Sequence, residues 1–159
     1  MSRLPLLLYL ALASGQVAGA TLCRLGSAGG MAFGTYDVLS AAPTDTLVQI
    51  AVTCDRNGGP QRVNLTMRLG QGGHATSVSA RRMRHAGAFG DYLSYALYRD
   101  VARSSVWGST DGVDTVSRSL SVPNNGSAST SFIIYGRIPA QQDVSVGSYA
   151  DSVQVTVTP

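Results

Sequence analysis

The stretch that decides the fold is Gly-Ser-Tyr-Ala-Asp-Ser-Val-Gln-Val-Thr-Val-Thr-Pro at residues 147–159. Val153, Val155 and Val157 alternate there with polar residues, a period of two that is typical of a half-buried β-strand. An antiparallel sheet commonly pairs such a strand with the next strand along the chain, and no residues follow this one. We expect either that an earlier strand covers both its sides or that an edge of unpaired N–H and C=O groups stays open as the working surface.

The first twenty residues have the pattern of a secretory signal peptide. A positive start that contains Arg3 precedes a mostly apolar run at residues 4–13, and Ala18-Gly19-Ala20 matches a small-residue cleavage site. A membrane anchor is the alternative, but the apolar run is too short to span a bilayer. The sequence therefore predicts a signal peptide at 1–20 and one domain at 21–159, exported through the periplasm to the cell surface and without a transmembrane segment.

The chain has two cysteines, Cys23 and Cys54. In an exported protein such a pair predicts one disulfide. The bond would link the opening segment covalently to the sheet and stabilise the fold by about 3–4 kcal/mol. Two free buried thiols are the first alternative, and they are unusual in an oxidising compartment. Zinc is the second, but the spacing does not fit and His74 and His85 both lie in polar stretches.

The charged residues are all of two kinds, since every basic residue is arginine and every acidic residue is aspartate. Long helices favour glutamate and lysine on their exposed faces, so this usage argues against a helical protein. The net charge of +3 is modest, and its main local concentration is Arg81-Arg82-Met83-Arg84. Such a cluster can meet nucleic acid or lipid headgroups, but no aromatic residues interleave with it. We interpret it as a solvated loop and expect no nucleic-acid partner.

Short alternating segments separated by glycine-rich turns recur along the chain. The predicted strands lie at 47–54, 62–69, 92–99, 115–122, 130–138 and 147–159, with weaker ones at 31–36 and 77–83. Asn124-Asn125-Gly126 predicts a hairpin, and Trp107 is expected to plug the core or an edge. Seven or eight strands with no convincing helix indicate an all-β antiparallel sandwich.

No catalytic pattern is present in the sequence. The G-x-S-x-G nucleophile motif is absent, and the two histidines lack a patterned serine or aspartate partner. Asp100, Asp111 and Asp114 lie near one another, but their spacing does not match a calcium-binding loop. We therefore expect no catalytic, cofactor-binding or metal-binding residues and predict that the protein is not an enzyme.

Several short motifs occur in an order that resembles one family. They are Cys23, Phe33-Gly34-Thr35-Tyr36-Asp37, the strand that ends at Cys54, Arg82-Met83, Leu97-Tyr98-Arg99-Asp100, Val106-Trp107-Gly108, the run from Tyr135 to Gln141, and Gly147-Ser148-Tyr149-Ala150-Asp151. Together they cover nearly all of residues 21–159, and their order is similar to that of the spore coat protein U domain family. That family includes pilin subunits of archaic chaperone–usher pili.

The resemblance implies an immunoglobulin-like sandwich that lacks its seventh strand. A periplasmic chaperone would lend a strand to the open groove, and at the outer-membrane usher a neighbouring pilin subunit would replace it by β-augmentation. On this reading one wall of the acceptor groove is formed by Val153, Val155 and Val157. The other wall is formed by Met31, Phe33 and Tyr36.

One departure from the family predicts a special position in the fibre. Only Thr21 and Leu22 precede Cys23 if cleavage follows Ala20, and two extended residues span about 7 Å. They are too short to act as a donor strand, so the sequence predicts an acceptor-only tip subunit with a role in adhesion or biofilm. The alternative is a secreted spore-coat or surface-matrix structural protein. A different class is a soluble carbohydrate-binding module or a secreted enzyme.

Overall fold

The computed structural model describes residues 19–27, 29–87 and 90–159, and this part of the chain is all β. Residues 1–18 of the predicted signal peptide lie outside the described residues. Ten strands form within the described ranges, against the seven or eight that were predicted. They are β1 (Thr21–Leu25), β2 (Thr44–Arg56), β3 (Gln61–Leu69), β4 (Arg82–His85), β5 (Tyr92–Ser94), β6 (Ala96–Tyr98), β7 (Val116–Val122), β8 (Ser127–Ile138), β9 (Tyr149–Ala150) and β10 (Val155–Thr158).

The strands form three antiparallel sheets. The first has the order β1-β2-β8-β6, the second β10-β3-β7, and a small third sheet has the order β5-β4-β9. Strict alternation explains the long strands, since every second residue of β3 from Val63 to Leu69 is buried and the residues between them are more exposed. The predicted all-β antiparallel sandwich is therefore confirmed.

The core lies between the first two sheets. Its main contributions are Ile50, Val52 and Cys54 from β2, Leu65, Met67 and Leu69 from β3, and Phe132, Ile134 and Ile138 from β8. Trp107 is 1% exposed, and its indole N–H donates to the Met67 carbonyl oxygen at 3.1 Å. It is thus a core residue, as expected for a tryptophan whose polar N–H finds a buried partner.

The predicted disulfide between Cys23 and Cys54 is confirmed. The two residues lie directly opposite each other in the β1–β2 register, and their Cα atoms are 4.0 Å apart. Because β1 is an edge strand, this bond attaches the opening segment to the long central strand β2.

The opening strand lies earlier in the chain than predicted. Residues 21–25 form β1, whereas residues 31–36 form no strand. Pairing with β2 across Cys23 and Cys54 places the strand here, and Gly26, Gly29 and Gly30 separate it from the later segment.

The turn at Asn124-Asn125-Gly126 is present, but the predicted hairpin is wrong. β7 pairs with β3 in one sheet, and β8 pairs with β2 and β6 in the other, so the turn connects the two sheets. Asn125 adopts a positive φ of 45°, and its side chain accepts a hydrogen bond from the Gly58 N–H at 2.7 Å. The turn therefore packs against the β2–β3 turn instead of joining paired strands.

The predicted strands at 92–99 and 77–83 also differ from the structure. The first is divided at Tyr95 into β5, which pairs with β4, and β6, which pairs with β8. The chain thus changes sheets at Tyr95, although the alternation of buried and more exposed residues continues through both strands. The short strand near residue 80 is β4, and it begins at Arg82 because Arg81 is drawn into the core.

The burial of Arg81 contradicts the interpretation of the basic cluster as a solvated loop. Arg81 is 1% exposed, and its guanidinium donates to the main-chain carbonyls of Leu69, Gly70, Val78 and Trp107. Burial lowers the pKa of this guanidinium from its ordinary value. Loop residues that end strands have spare carbonyls, and a planar five-donor group can satisfy several at once.

The final segment forms two short strands instead of the single strand predicted. β9 ends at Ala150 and β10 begins at Val155, with Asp151 between them. The alternation itself is confirmed, since Val153, Val155 and Val157 are half-buried and the residues between them are exposed. The break begins at Asp151, whose carboxylate accepts hydrogen bonds from the Tyr95 hydroxyl and the Gly73 N–H.

Candidate functional site

A groove opens between two segments that have no strand between them. One wall is the segment 29–38, which forms no strand, and the other is the segment 144–155 that contains β9. In the described part of the chain, β10 pairs with β3 alone and β1 pairs with β2 alone. The second wall continues into β10, whose outer edge has no neighbouring strand in the described ranges and so offers unpaired backbone groups.

The groove has two halves that share Met31, Phe33, Met83 and Tyr149. The inner half has a volume of about 380 Å³, and core residues such as Ile50 and Leu69 line it. The outer half has a volume of about 630 Å³ and is lined by loop residues at 34–38 and 144–148. The partly buried apolar side chains of the inner half therefore lie directly over buried core residues.

The structure brings five of the six predicted wall residues to this groove. Val153 and Val155 line the inner half, Met31 and Phe33 line both halves, and Tyr36 lines the outer half. Val157 lines neither half; it packs against the core and lies opposite Met67 in the β10–β3 register. The role of these residues as an acceptor for a donor strand stays a prediction.

The wall at 29–38 is held by hydrogen bonds to neighbouring elements. The Thr46 hydroxyl of β2 donates to the Ala32 carbonyl at 2.9 Å. The Tyr36 hydroxyl donates to the Pro139 carbonyl at 2.9 Å and accepts from the Gln142 N–H at 2.8 Å. These bonds hold the wall at Ala32 and Tyr36 although it forms no strand.

Gly136 in β8 allows this wall to lie close to the sheet. A Cβ atom at this position would lie 2.5 Å from the Met31 sulfur and 2.8 Å from the Phe33 ring. The two side chains therefore occupy the space that a larger residue would fill. The Phe33 ring also meets the Tyr95 ring edge-on, with centroids 6.1 Å apart.

The wall at 144–155 contacts β4 and the loop that precedes β5, and these contacts hold it in place. The Ser145 N–H donates to the Asp91 carboxylate at 3.1 Å, and hydrogen bonds from Ser145 hold the pKa of Asp91 below its ordinary value. The Tyr149 hydroxyl donates to the Ser145 carbonyl at 2.7 Å, and burial raises the pKa of Tyr149. The His85 ring packs edge-on against Tyr149, with centroids 5.0 Å apart.

A polar cluster closes the inner end of the groove. The Tyr95 hydroxyl donates to one oxygen of Asp151 at 2.6 Å, and the Gly73 N–H donates to the other at 2.9 Å. Burial raises the pKa of Tyr95, and the hydrogen bond to Asp151 raises it further, so the hydroxyl keeps its proton. The cluster ties the sheet-switching residue Tyr95 and the loop at Gly73 to the segment between β9 and β10.

The prediction from sequence missed Tyr95 and Asp151, which line the groove, and Gly136, over which one wall packs. A signal for Asp151 was present, because the period of two that places Val153, Val155 and Val157 inward also places Asp151 on that face. For Gly136 and Tyr95 no comparable signal exists, since their roles depend on segments far away in the chain.

Metal and membrane sites are not found in the part of the chain that the structure describes. Among these residues, no three or more histidine, cysteine or acidic side chains are grouped so that they could hold a metal ion. No helix within residues 19–27, 29–87 and 90–159 has the length and apolar character needed to cross a bilayer.

Comparison with known proteins gives a family and a fold. The model of the Spore Coat Protein U domain matches residues 10–156. "Protein U" of Myxococcus xanthus is 36% identical over 156 residues, and the match covers 90% of this chain and 79% of that protein.

The fold is similar to a solved chain of a chaperone–tip adhesion subunit pre-assembly complex, CsuC–CsuE, from archaic chaperone–usher Csu pili of Acinetobacter baumannii. The TM-score is 0.54 at 17% identity, and the match covers 87% of this chain. This chain spans 39% of that chain's length, so the likeness describes the shared fold alone.

Proposed function

Because the chain belongs to the spore coat protein U domain family, we propose that it is a structural subunit of a chaperone–usher surface pilus. The observation that carries the proposal is the open groove beside β10, whose inner half is lined by partly buried apolar side chains that lie over the core. A sandwich with such a groove is completed by a strand from another chain. The subunit would be exported through the periplasm and displayed on the cell surface.

The chemistry of donor-strand complementation matches the two kinds of group in the groove. The free edge of β10 offers backbone N–H and C=O groups, which pair with any extended strand. Val153, Val155 and Phe33 offer apolar surface, and each Å² that a donor side chain covers contributes about 25 cal/mol. Backbone pairing would thus hold the donor, and alternate side chains would set its register.

Three kinds of partner would bind this subunit in turn. A periplasmic chaperone would fill the groove before assembly, the outer-membrane usher would receive the complex, and a neighbouring pilin would supply the final strand. The chaperone has support from the fold comparison, because the similar chain belongs to a complex of a chaperone with a tip adhesion subunit.

We also propose an acceptor-only position at the fibre tip, with a role in adhesion or biofilm. β1 already uses residues Thr21–Leu25 in pairing with β2, so these residues are not free to act as a donor. The proposal depends on cleavage after Ala20, and intact-mass measurement of the exported protein tests it. A mature chain that starts well before Thr21 would contradict the acceptor-only position.

A secreted spore-coat or surface-matrix structural protein is the second candidate. The description of the matching family and the similarity to Protein U favour it. In that case copies of the same chain would close the groove, or the chain would close it internally. The exported domain would then be soluble and stable without a chaperone, whereas a pilin would aggregate alone and be rescued by its chaperone.

The experiment that tests the pilin proposal places a charge in the groove. Val155→Asp should abolish co-purification with a co-expressed periplasmic chaperone, because the carboxylate would lie where an apolar donor side chain must dock. Thr156→Asp is the matched control, since Thr156 is the adjacent residue on the exposed face of β10. Equal co-purification of both variants would refute the proposed groove.

A further inference from the structure

Asp151 puts one acidic side chain into the inner half of the groove. The other residues that line this half are apolar side chains, glycines and the two tyrosines Tyr95 and Tyr149. The period-two pattern places Asp151 on the same inward face as Val153 and Val155. Any strand that fills the groove must therefore cover a carboxylate as well as apolar surface.

The carboxylate is held in place but keeps spare acceptor capacity. The Tyr95 O–H binds one oxygen and the Gly73 N–H binds the other. Gly72 lies so close that a Cβ there would collide with the carboxylate, so the loop is shaped around it. A carboxylate can accept about four hydrogen bonds, and these two donors leave both oxygens able to accept more.

Arg81 lies in the interior near this cluster but does not bind the carboxylate directly. Its guanidinium donates to main-chain carbonyls, and its charge acts on Asp151 and Tyr95 only through the electrostatic field. Covering Asp151 with an apolar side chain would remove water from a charged group and give it no new hydrogen bond, which is unfavourable.

We infer that the donor strand that fills this groove carries a lysine or arginine facing Asp151, with apolar side chains at the neighbouring inward positions. This inference rests on the proposed function and names what the groove selects. A charged donor supplies the hydrogen bonds that the covered carboxylate loses from water. An aspartate or glutamate at the same position is excluded, because it would place two carboxylates together.

The outer half of the groove does not impose the same requirement. Asp37 lines that half, but it is exposed, and its carboxylate accepts a hydrogen bond from the Leu39 N–H at 2.9 Å. Water continues to solvate an exposed carboxylate when a strand passes beside it. We therefore assign the selection of a basic residue to Asp151 alone.

The test supplies the donor within the same chain. The full chain is extended after Pro159 by a flexible glycine–serine linker and a segment in which valine alternates with threonine. One valine at a time is replaced by lysine or by aspartate, and the thermal midpoint of each extended protein is measured. We expect one inward position at which lysine raises the midpoint above that of the valine parent and aspartate lowers it.

Two variants locate the origin of that preference. Asp151→Asn keeps the shape and the acceptor for Gly73 but removes the charge, so the lysine preference should disappear. Asp143→Asn is the control, because Asp143 is exposed and lines neither half of the groove. The lysine preference should survive in this control.

The results of this test distinguish failure of the inference about Asp151 from failure of the pilin proposal. If the valine segment raises the midpoint but no position prefers lysine over aspartate, the inference is overturned and the pilin proposal stands. If no segment raises the midpoint, both are overturned. A lysine preference that persists in Asp151→Asn also overturns the inference. If Asp151→Asn fails to fold, the comparison of lysine with aspartate in the chain that keeps Asp151 still supports or overturns the inference.

Discussion

β3 and β10 are neighbours in one sheet and have the same alternation, yet they are buried to different depths. Met67 and Leu69 of β3 are fully buried, whereas their register partners Val157 and Val155 in β10 are only half-buried. β3 lies between two strands, and β10 has one neighbour in the described part of the chain. Alternation therefore decides which side chains point inward. How far they are buried depends on what packs over them, because β7 also has one neighbouring strand and yet its Val122 is 1% exposed.

This difference in burial shows that the groove is continuous with the hydrophobic core and is not a separate cavity. Its inner lining includes Ile50 and Leu69, which are also members of the closed core. The side chains that would bury a donor strand are thus the same kind as those that stabilise the fold. Substitutions in the two regions should have effects that differ in size and in their dependence on a donor.

Arg81→Met should lower the unfolding free energy most. The Arg81 guanidinium binds carbonyl groups at the end of β3, and no comparable group among the described residues lies at β10. The variant leaves the buried carbonyls of Leu69, Gly70 and Trp107 without this donor, at a cost of roughly 4 kcal/mol or more in unfolding free energy. Arg82→Met is the control, since Arg82 is only partly buried and stacks on Tyr92. Chemical denaturation checks both, and similar midpoints would show that the Arg81 hydrogen bonds contribute little.

Cys54→Ser should have the next largest effect, because the disulfide joins the edge strand β1 to the closed sheet. The bond spans a sequence separation of 31, and its loss should reduce the unfolding free energy by about 3–4 kcal/mol and lower the periplasmic yield. Reduction of the unchanged protein should produce a similar loss. Unchanged yield and thermal stability in the variant would contradict this role.

Val63→Ala and Val155→Ala compare the same change in the two neighbouring strands. Val63 is 6% exposed, so its truncation should cost about 2 kcal/mol, whereas truncation of half-buried Val155 should cost less than about 1 kcal/mol. Thermal unfolding of both variants with and without a bound donor strand measures the difference. The Val155 cost should rise when a donor is present, and a constant cost would mean that Val155 does not contact it.

The long strands were predictable because their signal is local. β2, β3, β7 and β8 lie within a few residues of their predicted positions, since a period of two in mainly apolar residues marks one buried face. The disulfide was predictable for a similar reason, because an exported chain with two cysteines has one possible pair.

The errors concern residues whose conformation depends on distant parts of the chain. Tyr95 divides a predicted strand between two sheets, and Asn125 joins two sheets where a hairpin was expected. Arg81 looked like a solvated residue, but four carbonyls from three separate segments draw it inside. A local pattern contains no information about such partners.

By itself the sequence determined the strand type, the inward faces and the disulfide, because alternation and cysteine number act through local geometry and covalent chemistry. The tertiary structure alone decided which strands are neighbours, where the groove lies and which groups bind Asp151 beside it. Those features depend on contacts between segments far apart in the chain, such as Met31 and Phe33 over Gly136, and no short stretch of residues encodes them.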